Sequence, residues 1–324
     1  MISCTEFIPL YSAFFQFLED KGGHDAVVKY WNYISDRSIG DKSNPYSLIS
    51  FMEREGGMEG AWSYWRRVVE EEACDVYRYF DREKGYFCSH MRFCPSRGML
   101  NKLEHVEPYY DYCEHCNVLY APVLEKYGIV FERDNSKVAN AECFSMAYPK
   151  GNRPNIDLTN IEQEDVTGCE VIDVKAEDNT YLHKDFHISG DLALTYCGDN
   201  YGENCVRSFL TNYANSYYAP QIADIQARGL VALQQWLERV YAIEEASHLL
   251  HTKLEGDVLE VTVDRSPAIA FMYEAGQKPG KYYIEQTRTV YSAIADACDL
   301  GFTMDYYKED GATAFRFFVR HYKA

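Results

Sequence analysis

Cysteine is the residue type in this chain with the most chemistry in its spacing. The sequence holds eleven. Four of them fall in Cys88-Ser-His-Met-Arg-Phe-Cys94-Pro95 and Tyr112-Cys113-Glu114-His115-Cys116, and a fifth, Cys143, stands in a later strand-like run. Cys113 and Cys116 are three apart at the start of a helix, so both thiols point to one side. There the unpaired backbone N–H groups and the helix dipole favour a thiolate. Such a pair serves as a redox couple, as two metal ligands, as a nucleophile with a neighbour, or as two small core residues. Alternation along the strand at residues 86–93 puts Phe87, Met91 and Phe93 on one face and Cys88, His90, Arg92 and Cys94 on the other. Cys143 alternates away from Phe144 and Met146. The expectation is that Cys94, Cys113, Cys116 and Cys143 meet over one polar sheet face. A thiolate at Cys94 or Cys143 would attack the substrate or activate water, His90 would move the proton and Arg92 would hold a substrate carboxylate, unless both only line a solvated face. Tyr112 and Glu114 flank the pair as candidate substrate contacts, whereas His115 is expected to point elsewhere.

Four thiols also suit zinc or an iron–sulfur cluster, but only one pair is closely spaced, where structural sites ordinarily use two. His183, Asp185 and His187 offer a second arrangement, an i,i+4 histidine pair or a contact at a helix start, and the sequence leaves its role open. Glycine-rich phosphate loops, nucleophile elbows and His-Glu-x-x-His are absent from the sequence.

The elements that must position these residues come from an internal repeat. At one register Gly57 falls on Gly229, Arg67-Val68 on Arg239-Val240 and Pro95 on Pro267; a neighbouring register sets Tyr112 on Tyr283, Glu114 on Glu285, Tyr120 on Tyr291 and Phe131 on Phe302. These matches predict a tandem α+β pseudo-repeat, each module a helical region followed by a small, mainly antiparallel sheet with a crossing helix. The boundaries read as a first, cysteine-rich module over 1–149, a linker over 150–183 and a degenerate second module over 184–324. Helices are expected over 58–79 and 230–250, and loops after Pro95 and Pro267. The repeat pairs Cys94 with Ser266, Cys113 with Ile284, Cys116 with Thr287 and Cys143 with Ala314. Thiol chemistry therefore belongs to the first module.

Apolar residues make up 47% and charged residues 25% of the chain, as in a globular protein. A formal charge of −18 disfavours nucleic acid and anionic membrane surfaces as partners. The first residues lack a basic, apolar leader pattern, and the cysteines are odd in number and spread out. Both features predict a cytoplasmic protein with free thiols. Oligomeric state is open.

Arg92-Phe-Cys94-Pro95, Tyr112-Cys-Glu-His-Cys116 and Ala141-Glu-Cys143-Phe-Ser-Met146 together resemble the L-2-amino-thiazoline-4-carboxylic acid hydrolase family of bacterial proteins. The resemblance covers mainly residues 20–148. In the second half, Gly190-Asp-Leu-Ala-Leu-Thr-Tyr196 and Ser266-Pro267 are similar to segments of the same modules, with the cysteine lost. The resemblance implies hydrolysis of a carbon–nitrogen bond in a small, carboxylate-bearing, sulfur-containing cyclic molecule, with no cofactor required. Two alternatives stand beside it: a small-molecule sensor or carrier holding zinc or an iron–sulfur cluster, and a Cys-x-x-Cys redox protein.

Overall fold

The computed structural model describes residues 1–321 and shows an α+β protein with two antiparallel sheets. Two compact units divide the chain: Phe15–His183, and Met1–Phe14 with the chain from Lys184 onward. The division falls inside the first helix, α1 (Phe7–Gly22). The expected linker is thus not a separate piece, since 150–183 stays with the first unit while the first fourteen residues group with the second.

The first unit continues through α2 (His24–Ile34), a π-helical turn, α3 (Leu48–Glu55) and α4 (Gly57–Glu72). Strands β1 (Asp75–Asp81) and β2 (Tyr86–Phe93) follow, then α5 (Pro95–Lys102), α6 (His115–Glu125), β3 (Ile129–Asp134), β4 (Cys143–Pro149) and β5 (Glu170–Val174). The helix expected over 58–79 ends early because Ala73 adopts the left-handed conformation, φ 53°. Its last five expected residues, 75–79, form the start of β1 instead. The loop expected after Cys94 is α5, with proline at the first helical position, where its missing N–H costs nothing.

Sheet order in this unit is β3-β4-β2-β1-β5. Opposed residues share a face, so the pairs Arg78–Ser89, Ser89–Ser145 and Ser145–Arg133 make one row across four strands. Met91 opposite Cys143 lies in the next row. This face carries Phe80, Phe87 and Phe131 under α4 and α6: Trp62 packs on Phe80, with ring centroids 5.4 Å apart, and Trp65 stacks on Phe131 at 5.4 Å and meets Tyr120 edge-on at 5.1 Å. The opposite face is no solvated polar surface. Tyr79, Cys88, Phe144 and Met146 are buried there beneath Ile156, Leu158 and Ile161, which belong to the expected linker.

The second unit holds α7 (Asp185–Tyr201), α8 (Glu203–Tyr217), α9 (Ala219–Arg228) and α10 (Leu230–Ile243), then β6 (Leu250–Glu255), β7 (Val258–Val263), α11 (Pro267–Glu274), α12 (Glu285–Ala297), β8 (Leu300–Tyr307) and β9 (Thr313–Val319). Here too the expected long helix stops short, at Ile243, and a strand follows. The sheet order is β6-β7-β9-β8, so β1 to β4 and β6 to β9, taken in chain order, have the same neighbours. Cys94 and Ser266 cap α5 and α11 with nearly the same backbone angles, φ −70° and ψ 123° against φ −72° and ψ 124°. Matching the sheets at these caps sets Met91 on Val263, whose partner is Thr313. That superposition would set Cys143 on Thr313 and not on Ala314, since a slip of one residue would turn the side chain to the other face.

Candidate active site

Cys116 enters the first turn of α6 from a short 3-10 turn, Tyr112–Glu114. His115 lies beside it. Its ring is buried between Phe15 and Tyr112, with Nδ1 hydrogen-bonded to the Tyr112 carbonyl, and this turns Nε2 to within 3.6 Å of the Cys116 Sγ. The expectation that His115 points away from the thiols is corrected: the tight turn ahead of α6 folds the ring back over the helix start. On the facing sheet, Arg133 donates from Nη1 to the Cys113 carbonyl at 3.2 Å and from Nη2 to the Cys143 Sγ at 3.3 Å, and it also hydrogen-bonds the Cys116 thiol.

Burial works against ionising Cys116, but the Arg133 and His115 charges and hydrogen bonds outweigh it and bring the thiol down from 9.0 to about 6. The same contact raises His115 against its own burial, so each group favours the charged form of the other. The other thiols of the cluster, including Cys94 and Cys143 on which a nucleophile was expected, are shifted the opposite way. Burial lifts Cys94 well above its ordinary value, Cys113 to about 12, and Cys143 upward in spite of Arg133. Cys94, Cys113 and Cys143 all feel the Cys116 charge or one another's, as a cluster must, and all four are partly exposed. Cys94 joins it although strand alternation points it elsewhere, because β2 has ended and its Sγ caps α5, accepting from the Arg97 N–H at 3.5 Å.

Two further groups complete the cluster. Arg78, 3% exposed, donates from Nε to Ser89 Oγ at 3.0 Å, and its Nη1 is buried with no hydrogen-bond partner among the described residues. Burial lowers its pKa to about 10, while Cys74 and Cys143 act in the opposite sense. Glu72, the last residue of α4, lies close enough to Cys116 and His183 to feel both; burial raises its carboxyl to about 7. An unsatisfied buried guanidinium is costly and marks a place for an anion.

The other expected site residues are placed differently. His90 and Arg92 lie on the opposite face from Cys143, as alternation requires. His90 stacks on Phe144 at 4.4 Å and bonds Glu142 at 2.9 Å and Glu162 at 2.6 Å; Arg92 bonds Glu162 at 2.7 Å and Asp173 at 2.6 Å. Both are engaged in these ion pairs, away from the thiols. Glu114 accepts from Asn117 at 3.0 Å and Tyr112 is buried, so these two shape the start of α6. The four cysteines do not form a metal-like set: among the described residues, the group of three or more such donors within 4.8 Å of one another is Cys4, His187 and Glu244. Arg133 among the sulfurs also opposes a cation there. His183 bonds Glu71 within the first unit at 2.7 Å, and His187 bonds Glu244 within the second at 2.9 Å.

Arg78, Arg133 and Glu72 escaped the sequence reading. Each arginine alternates with apolar residues on its strand face, Val76-x-Arg78-x-Phe80 and Ile129-x-Phe131-x-Arg133, a pattern that signals a charge on a covered face. In the second unit the surroundings of Ser266 are nearly filled. Met1, Ser266, Thr287, Tyr291 and Thr313 line a cavity of about 10 Å³, room for no more than a water, and Ser266 Oγ donates to Met1 Sδ at 3.7 Å. No helix among the described residues is long and apolar enough to cross a membrane. No protein-family model matches the chain, and neither a curated protein nor a solved structure matches it.

Proposed function

We propose that this chain is a cytoplasmic, thiol-dependent hydrolase that opens a carbon–nitrogen bond in a small carboxylate-bearing molecule, in the manner of the L-2-amino-thiazoline-4-carboxylic acid hydrolases of bacteria. Its active module is the first half of a tandem repeat whose second half is scaffold. The observation that carries this reading is the Cys116–His115 pair beside Arg133, with the buried Arg78, whose Nη1 has no partner among the described residues, near Cys143 of the same cluster. Arg78 Nη1 takes the substrate carboxylate, a task first expected of Arg92. Cys116, held as thiolate, attacks the electron-poor carbon of a cyclic amidine or amide, forming the S–C bond while the π electrons move to the heteroatom. As the tetrahedral adduct collapses, the carbon–nitrogen bond breaks and the nitrogen takes the His115 Nε2 proton. Neutral His115 then accepts a proton from water attacking the same carbon, and the S–C bond breaks to return the thiolate. The net change is the addition of one water. Cys94 and Cys143 remain protonated and line the pocket.

The test is turnover of 2-amino-thiazoline-4-carboxylate and of related cyclic amidine and amide carboxylates, read as a mass gain of one water. Wild type should turn over at least one of them, with an adduct trapped on the Cys116 peptide, and Cys116→Ser should not. Undiminished turnover by Cys116→Ser overturns the assignment, and a reversible Cys113–Cys116 disulfide in a protein without hydrolytic activity would support the redox alternative.

A further inference from the structure

A second constellation lies in the other unit, unrelated to the thiol cluster. Cys4 sits in a short 3-10 turn ahead of α1, His187 in the first turn of α7, and Glu244 on the residue that caps the C-terminal end of α10. Packing of Phe7 on Phe186, with centroids 4.8 Å apart, brings the first two elements together. The Cys4 backbone N–H donates to Glu244 Oε1 at 2.6 Å and fixes the third, leaving Oε2 turned to His187 Nε2 at 2.9 Å. One donor atom from each residue lies within 4.8 Å of the others, and the three residues are 0%, 4% and 2% exposed.

We propose that Cys4 Sγ, His187 Nε2 and Glu244 Oε2 bind a divalent transition-metal ion of the zinc type. A thiolate, an imidazole and a carboxylate are the ligand types such an ion accepts, and ligand atoms around it stand about 3–4 Å apart, inside the spread found here. Charge argues the same way. Glu244 is a buried carboxylate at the end of a helix where the dipole is already negative, so the position calls for a cation. A divalent ion with one thiolate, one carboxylate and a neutral imidazole leaves the site uncharged. Binding releases the Cys4 proton to solvent, and the fourth tetrahedral position falls to water. The three ligands come from segments far apart in sequence, so the ion acts as a clamp that ties residues 1–6 to α7 and α10 within this unit. Its ligands belong to the second unit and the proposed hydrolytic residues to the first.

The experiment uses the full chain, stripped with a chelator and titrated with Co²⁺ and Zn²⁺. One Co²⁺ per chain should bind with a thiolate-to-cobalt charge-transfer band, Zn²⁺ should displace it, and the melting temperature should rise with bound metal. In Cys4→Ser and in His187→Gln the affinity should fall at least about 100-fold and the band should vanish from the first. Cys116→Ser should bind as wild type does. A stripped wild-type chain that stays folded and takes up no metal, or a Cys4→Ser chain that keeps the stoichiometry and the band, overturns the proposal. Loss of the band in Cys116→Ser but not in Cys4→Ser overturns it as well, by moving the ion to the first unit. Circular dichroism of both ligand variants separates lost ligation from lost fold, and the wild-type titration decides the matter if neither variant folds.

Discussion

Replacing Arg133 by methionine should switch off the Cys116 nucleophile without emptying its place in the sheet. Arg133 is the strongest of the groups that offset burial at this thiol, ahead of His115, and brings it to about 6. At pH 7 a group with that pKa is ~90% ionised, whereas one at the ordinary 9.0 is ~1% ionised, a range of roughly 90-fold in thiolate. With Arg133 gone, burial acts against His115 alone and the pKa must rise, so at pH 7 the thiolate population falls through most of that range. Methionine keeps the length of the side chain and its packing over the sheet. The assay is iodoacetamide alkylation of the folded protein from pH 5 to pH 9, with the Cys116 peptide quantified by mass spectrometry. Wild type should show a midpoint near pH 6. Arg133→Met should show one at least about two units higher and, at pH 7, a rate about tenfold lower. An unchanged midpoint in the variant, or a wild-type midpoint in the ordinary thiol range, would refute the electrostatic argument.

Other outcomes follow from the same geometry. Arg78→Met removes a buried guanidinium with an unpaired donor, so the melting temperature should hold or rise while KM for a carboxylate substrate increases at least about tenfold; an unchanged KM would place the carboxylate elsewhere. His90→Ala and Arg92→Ala, on the far face of the sheet, should leave the Cys116 alkylation midpoint where it is and lower stability by no more than about 1 kcal/mol each in chemical denaturation. Ser266→Ala should keep full turnover, since its surroundings have no room for substrate; a dead variant would show the site to be in the second unit. Burial raises the Asp191 carboxyl to about 7, so its folded form binds the proton more tightly than its unfolded form, and that contribution to stability is lost as pH rises through 7. The wild-type melting temperature should accordingly fall between pH 5 and pH 8 by more than that of Asp191→Asn.

Much of the fold was written in the order of the residues. Phe87 and Met91 alternate with Cys88 and His90, and that period of two fixed which side chains share a face before any strand partner was known. Pro95 after Cys94 and Pro267 after Ser266 each open a helix, and the two sheets share a strand order. Cysteine spacing likewise singled out Cys94, Cys113, Cys116 and Cys143 from eleven.

Which face of the sheet is chemical, and which thiol is ionised, was decided by tertiary structure alone. The run through Ala73 keeps a helical pattern, and only a left-handed backbone at that residue turns it into β1 and brings Arg78 beside Ser89. Segment 156–161 covers the face of Cys88, leaving the arginine row to α4 and α6. A period of two says that His90 and Cys143 differ in side, but not which side meets α6. The ionisation of Cys116 depends on Arg133 and His115, one in a distant strand and one folded back by a tight turn, and Coulomb interactions of that kind follow distance in space and not separation along the chain.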